Sequence, residues 1–361
     1  MLPPAADRPK LQHALDRLAA AVEELLLGGL TTASEATRQS VSAAMQEAAR
    51  FKLLRLGSAL RGATEELGRF AKQDQAFSRR RLTFFLNRSW LLARGLSHAL
   101  RTGDEKEYDR LNWAPPTVPT PSVEVVCLGA VKRVTAAAVL FDFRLRSVPD
   151  GKRLTWSAVF PVKPGLDIPP EGYLHLPQKQ KFNPALFLDG KAVTVTNATL
   201  TADGRLGLTD TSTVVAGKPF ADWKRFLDWS PHPAAERLAK HTPGPLDLET
   251  ELQEEVVLRD YAIGPPADGD EPGQTAYTVT AGPLALHAVV GPGVEGKSLR
   301  KNLDDLRKRK RDKPPLFGLL HYERCRLVLQ PLTTFADGPM YLPISGESIN
   351  KAALLKAMSF T

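Results

Sequence analysis

The stretch Ala114–Val134, APPTVPTPSVEVVCLGAVKRV, decides the fold. Its first nine residues hold four prolines: Pro115, Pro116, Pro119 and Pro121. Proline fixes φ, lacks an amide hydrogen and pushes the residue before it toward extended backbone. Ala114–Ser122 therefore reads as an extended linker that no helix crosses. Beyond Ser122 the apolar runs have the length and composition of strands. Before Ala114 they have the spacing of helices.

Working toward the N-terminus, Leu11, Leu15, Leu18, Val22, Leu25 and Leu26 recur every three or four residues and form one helical stripe. Gly28-Gly29 ends it. Thr32-Ala33-Ser34-Glu35 has the form of a capping box, which opens a long second helix reaching Gln73. Gly57, Gly62 and Gly68 lie inside that helix, where each costs about 1 kcal/mol against alanine, so a packing reason is expected. A third helix starts at Ser78, and DEKEYDRLNW supplies a short fourth. The run Arg79-Arg80-Arg81 opens the third helix against its macrodipole, so a partner carboxylate is expected there. Long helices with short loops make an antiparallel bundle.

Working toward the C-terminus, VEVVCLGAVKRV, AAVLFDFRLRSV, RLTWSAVFPV, KAVTVTNATLT and RLGLTD read as strands. Asp150-Gly151, Asp189-Gly190 and Asp203-Gly204 separate them as turns that need positive φ. Residues 123–230 thus predict an antiparallel β barrel or sandwich, with the aromatic segment Phe220–Trp229 as a cap. Pro231, Pro233, Pro243 and Pro245 mark a second boundary. The remainder is mixed, with strands around LETELQEEVVLRDYAI, TAYTVTAG, LALHAVV and RCRLVLQPL. Helices are expected at Lys297–Arg311 and Ser348–Met358, and Gly264–Gly273 reads as a loop. The expected class is an α+β multidomain chain: a helical bundle over 1–113, a linker over 114–122, a β domain over 123–230 and a mixed α+β domain over 231–361. No repeat is visible in the sequence.

The 361 residues carry 48 basic and 40 acidic side chains, a net charge of +8. Residues 1–112 hold +5 and residues 113–230 hold +4, but 231–296 hold −8 and 297–361 hold +7. The basic part concentrates in KSLRKNLDDLRKRKRDK (297–313). It reads as a solvated helix face, partly neutralised by the acidic strands before it. The alternative is a phosphate-contacting helix for nucleic acid through Arg300, Lys301, Arg307, Lys308, Arg309, Lys310 and Arg311, aided by the β domain. The run lacks the aromatic residues that base-stacking modules use.

Gly291-Pro292-Gly293-Val294-Glu295-Gly296-Lys297-Ser298 matches G-x-x-x-x-G-K-[ST], between an apolar strand and a helix. Over these eight residues and their flanks the chain resembles the nucleotide-binding loop of P-loop NTPases. The resemblance implies Mg-ATP or Mg-GTP bound through Gly291, Gly293, Gly296, Lys297 and Ser298, and would make any enzyme here a nucleoside-triphosphatase. Only 63 residues follow Ser298, and the next apolar run, Leu327–Gln330, ends without an aspartate for Mg²⁺. The alternative is a Pro/Gly turn between strand and helix.

Other chemistry is sparse. The seven histidines are scattered, there is no C-x-x-C or G-x-S-x-G, and Cys127 and Cys325 read as buried thiols. Ser298-x-x-Lys301 and Ser348-x-x-Lys351 lack the partner motif their chemistry needs. Asp268, Asp270 and Glu271 form an acidic loop lacking the further ligands of a calcium site. No catalytic residue, metal site or cofactor is assigned. No leader or spanning segment is read, which predicts a cytoplasmic chain without membrane contact. The expected function is a non-catalytic interaction or scaffold subunit of a larger bacterial-type assembly with other protein subunits. The alternatives are nucleic-acid binding by 297–311 and nucleotide binding by 291–298.

Overall fold

Five helices form the N-terminal part of the computed structural model: α1 (Arg8–Gly28), α2 (Glu35–Arg50), α3 (Leu54–Ala71), α4 (Arg79–Thr102) and α5 (Glu105–Asn112). The structure describes residues 2–30, 35–74, 77–112, 117–134, 138–162, 168–227, 231–240, 253–309, 312–323 and 326–345. The capping-box residues before Glu35, the expected helix Ser348–Met358 and Cys325 lie outside them. The described residues divide into two compact units, the helices in one and both β sheets in the other.

The stripe of α1 is buried as expected, except that Leu26 points outward at 39% exposure. The long second helix is two helices. Leu53 N–H donates to the Ala48 carbonyl (2.8 Å) and Lys52 N–H to the Ala49 carbonyl (3.2 Å), with Lys52 at φ 53°. This is a Schellman stop without glycine, so the sequence carried no signal for it. What favours it is Leu53, turned into the core at 1% exposure. Gly62 has the packing reason sought: a Cβ there would lie 2.7 Å from the Phe85 ring. The arginine run has its carboxylate, because Arg81 pairs with buried Glu66 at 2.9 Å. Glu66 also accepts from the Ser78 amide at 2.8 Å.

The second unit begins with β1 (Thr117–Val134), β2 (Ala138–Ser147) and β3 (Arg153–Pro161), which form an antiparallel meander. Two short 3₁₀ turns, Pro170–His175 and Pro184–Leu188, lead to β4 (Lys191–Thr201) and β5 (Leu206–Pro219). The sheet order is β3-β2-β1-β4-β5, and Thr155 bridges Arg205 in parallel between the two outer strands. The expected linker is strand from Thr117 on, where Thr117–Ser122 pair with Thr196–Thr201 of β4. Proline tolerates such an edge because its missing donor faces away from the ladder. Gly204, at φ 84°, makes the β4–β5 turn, and a Cβ there would collide with the Arg153 carbonyl.

After α6 (Pro231–Lys240) come β6 (Gln253–Leu258), β7 (Tyr261–Asp268), β8 (Thr275–Ala281) and β9 (Leu284–Val290). Helix α7 (Gly293–Lys308), β10 (Leu316–Glu323), β11 (Arg326–Phe335) and β12 (Pro339–Tyr341) complete the unit. The sheet runs β6-β10-β11-β9-β8-β7, with β12 on β11. Treating β6 and β7 as one strand bent at Arg259–Asp260, the first sheet's order recurs. A meander is followed by a strand returning beside the first, and β11 meets β9 in parallel at Val328 and His287. The expected loop 264–273 is strand as far as Asp268, because Pro265 and Pro266 sit where β7 pairs only with β8 across a bulge.

The two β-rich parts share a core. Val126, Leu128 and Val131 of β1 pack with Phe317 and Leu319 of β10, Leu332 and Phe335 of β11, and Trp223 and Phe226. Val125–Val131 is buried on both faces, which explains why VVCLGAV reads as a continuous apolar run without alternation. Gly129 admits this contact: a Cβ there would lie 3.0 Å from Leu332 and Phe317.

Candidate functional site

Helix α7 buries Leu299, Leu303 and Leu306 against the second sheet, and Asn302 Nδ2 donates to the Leu342 carbonyl at 2.9 Å. With that face fixed, Lys297, Arg300, Lys301, Arg307, Lys308 and Arg309 are exposed. Two aspartates on the same helix temper its end: Asp304 lies 3.7 Å from Arg307 and Asp305 lies 3.3 Å from Lys308. Lys310 and Arg311, the other two nucleic-acid candidates, lie outside the described residues.

Asp312 and Lys313, shortly after α7 in the chain, help to line a cleft of about 880 Å³. Three elements form it: the segment after β5, the bend between β6 and β7, and the segment joining α7 to β10. Lys224, Arg225, Arg259 and Lys313 line it, together with Asp222, Asp260 and Asp312. Asp312 sits at φ 54°, a left-handed turn that reverses the chain and brings Lys313 back. Lys313 Nζ then lies 5.6 Å from the centroid of the Tyr261 ring and 3.3 Å from the Tyr261 carbonyl oxygen. The Tyr261 hydroxyl donates to the Pro314 carbonyl at 3.1 Å. Burial raises its pKa, and the Arg309 charge acts the other way. Arg225 stacks on Phe226, 4.9 Å from the ring centroid.

Sequence reasoning missed Lys224, Arg225 and Arg259 because the Lys224-Arg225 pair and Arg259 stand far apart in the chain and only the fold gathers them. Lys313 was inside the quoted basic run. A polar pair, Arg259-Asp260, interrupting two apolar strand halves was the available signal for a bend.

The ends of β2 and β3 nearest their shared turn meet β6. Arg146 pairs with Glu255, Arg144 donates to Gln253 (2.9 Å), and Arg153 approaches Glu254 at 3.5 Å and Glu255 at 3.7 Å. Arg237 of α6 clamps Glu254 with two bonds at 2.9 and 3.0 Å, and those bonds lower the Glu254 pKa. Arg146 is fully buried and Glu255 is 7% exposed.

The eight-residue P-loop match has a different geometry. Helix α7 begins at Gly293, so Gly293–Ser298 are helical turns. Gly291 and Pro292 alone join them to β9, where a phosphate loop needs several residues to wrap its ligand. The Gly291 carbonyl lies against Gly296, so close that a Cβ at 296 would overlap it. Lys297 is exposed and Ser298 is half-buried. The segment passes from β9 into α7 with Gly291 and Pro292 between them. Ser298 and Lys301 share α7, and Ser348 and Lys351 lie outside the described residues. In the acidic loop Asp270 pairs with Arg326, and Glu271 accepts from Gln274 at 3.1 Å. Among the described residues no three His, Cys, Asp or Glu side chains come together as a metal site, and no helix is long and apolar enough to cross a membrane.

No protein-family model matches the chain, and no curated protein matches it. Among solved structures it is similar to the Ifi202 HINa domain in complex with 20bp dsDNA, at 10% identity and a TM-score of 0.29 over 62% of this chain and 97% of that one. It is similar to the p204 HINb domain at 10% identity and a TM-score of 0.30, over 62% and 96% of the two chains. A Replication Protein A heterotrimer bound to ssDNA matches at 9% identity and a TM-score of 0.27, over 68% of this chain and 52% of that one.

Proposed function

We propose that the two-sheet unit binds nucleic acid along the end of α7 and the cleft. The observation that carries this reading is the gathering of Lys224, Arg225, Arg259 and Lys313 in one cleft, with exposed Arg307, Lys308 and Arg309 a few residues before Lys313 in the chain. Cations gathered in a concavity attract phosphates, and each contact releases counterions from the nucleic acid. Topology supports it as well. Each sheet is a meander whose first strand also pairs with the fourth, the Greek-key order of the oligonucleotide/oligosaccharide-binding fold. That fold commonly uses the face of its second and third strands, and in the first sheet β6 engages one end of this face at Arg144, Arg146 and Arg153.

The test is anisotropy of labelled single-stranded and duplex oligonucleotides against salt. Four phosphate contacts predict a slope of log K on log salt of about −3 for a single strand, at roughly −0.7 per contact. The triple variant Arg307→Glu, Arg309→Glu, Lys313→Glu is expected to lose binding, and Lys218→Glu, exposed on β5, to keep it. No affinity for either oligonucleotide at low salt refutes the proposal.

A protein-contact role for the helical unit is the second reading. On α3, Leu54 is 57% exposed, and a Cβ added at Gly57 or Gly68 would meet nothing within 4 Å, which leaves a low surface for a neighbour. Gly57→Gln should weaken capture of any such partner without lowering the melting temperature.

A further inference from the structure

Helices α1 and α4 run antiparallel, and two contacts fix their register. The Ser97 hydroxyl donates to Asp16 Oδ1 at 2.7 Å, and the Trp90 indole donates to Glu23 at 2.6 Å. These contacts engage the two carboxylates of α1 that face α4 with a hydroxyl and an indole rather than with a cation. Arg94, His98 and Arg101 follow at four- and three-residue spacing on α4, so all three stand on the same side of the helix. With Asp16 and Ser97 they line a groove of about 210 Å³. Among the described residues no ion pair engages Arg94 or Arg101. Arg94 lies over the Trp90 ring, 6.0 Å from its centroid, and Arg101 contacts His98 Nδ1 at 3.4 Å.

Several helical cations are matched three or four residues away: Arg69 with Glu65 and Glu66, Arg110 with Glu107, Arg307 with Asp304, Lys308 with Asp305. The macrodipole accounts for Arg101 in the last turn of α4, but its effect does not reach Arg94, two turns earlier. Arg94, His98 and Arg101 thus bring nitrogens from three side chains to the groove.

From this arrangement we infer that the helical unit has a phosphate site, in which Arg94 and Arg101 grip the oxygens of a phosphoryl group and His98 donates the third bond. Guanidinium forks suit such oxygens, and the three donors share α4, whose turns set their spacing. The ligand is inorganic phosphate or a phosphomonoester.

The experiment is isothermal titration of the full chain with sodium phosphate at pH 7, against sodium chloride of equal ionic strength. Saturable one-to-one binding is expected, weakened by roughly tenfold or more in Arg94→Gln/Arg101→Gln, the loss of about one charge-assisted bond. Arg61→Gln, exposed on α3, should bind as the wild type does. Both mutated side chains are exposed, so an unchanged melting temperature without phosphate shows that the variant folds. Phosphoserine binding tighter than inorganic phosphate assigns an ester ligand, and equal or weaker binding assigns the free ion. The cleft variant Arg307→Glu, Arg309→Glu, Lys313→Glu should retain phosphate binding, which separates this site from the nucleic-acid reading. No saturable heat up to roughly 10 mM phosphate, or equal affinity in the double variant, overturns the inference.

Discussion

Replacing Glu255 with Gln tests how the two sheets are joined. Glu255 sits at the end of β6 with 7% of its surface exposed, facing Arg146, which is fully buried. Burial alone would push the Arg146 guanidinium toward neutrality, and the Glu255 carboxylate is the largest opposing influence. Arg153 lies 3.7 Å from the same carboxylate. Glutamine keeps the shape and removes the charge, while Arg146 cannot shed its proton in the accessible pH range. Breaking a buried pair in this way costs about 3–5 kcal/mol. For a unit of this size each kcal/mol moves the midpoint by about 2–4 °C, so the β unit should melt roughly 6–20 °C lower. Scanning calorimetry of the full chain reads it as a drop confined to one transition. The companion variant Arg146→Met/Glu255→Leu removes both charges, and apolar replacement of a buried pair is commonly neutral or stabilising. Its midpoint should lie above that of Glu255→Gln. A midpoint for Glu255→Gln within about 2 °C of wild type would mean that water reaches the pair and the sheets are held by the apolar core alone.

Three further outcomes are expected. The Glu254 pKa is lowered by the Arg237 bonds, so its stabilisation is present above the ordinary carboxylate value of 4.5 and lost as pH falls through the lower folded value. Glu254→Gln should therefore melt earlier than wild type at pH 7 and alike at about pH 3, as thermal scans across pH will show. Burial pushes the Cys127 thiol up to about 12, so in a Cys325→Ser background Cys127 should resist a thiol reagent at pH 8 until denaturant is added. Its stabilisation is complete below the ordinary thiol value of 9 and falls as pH rises from there toward 12. Gly204→Ala places a Cβ against the Arg153 carbonyl at positive φ and should cost at least about 1 kcal/mol in urea unfolding.

What was legible in the chain follows from which signals are local. Helical spacing from Leu11 to Leu25, the Ser78 cap and the three Asp-Gly turns each report on a few neighbouring residues, and each appears in the fold. The break at Lys52 was silent because a lysine adopts the left-handed conformation there, driven by the burial of Leu53. The linker reading failed from Thr117 on because proline forbids only an amide bond, and an edge position asks for none at Pro119 and Pro121. The likeness between the two sheets was invisible for a deeper reason. Strand order is set by which strands return beside which, and residues far apart in the chain can do this twice without sharing any pattern. In the first sheet the crossing to β4 is two 3₁₀ turns, and in the second it is a sixteen-residue helix.

The charge pattern changes meaning for the same reason. An acidic segment followed by a basic one suggested that β strands neutralise the helix after them. The fold pairs them differently. Glu254 and Glu255 turn to Arg153, Arg146 and Arg237, and Asp270 turns to Arg326. The acidic strand is thus spent on holding the two sheets together. From Lys297 to Arg309, six basic side chains face two aspartates, both on the helix itself. The acidic β6 thus joins the sheets, while the helix after it keeps more cations than its two aspartates match. Lys224, Arg225, Arg259 and Lys313 gather separately in the cleft. Oligonucleotide binding and the Glu255→Gln midpoint therefore probe opposite ends of one charge distribution. Loss of the first with the second intact would place phosphate recognition on α7, and loss of both together in Glu255→Gln would show that the cleft exists only while the two sheets are joined.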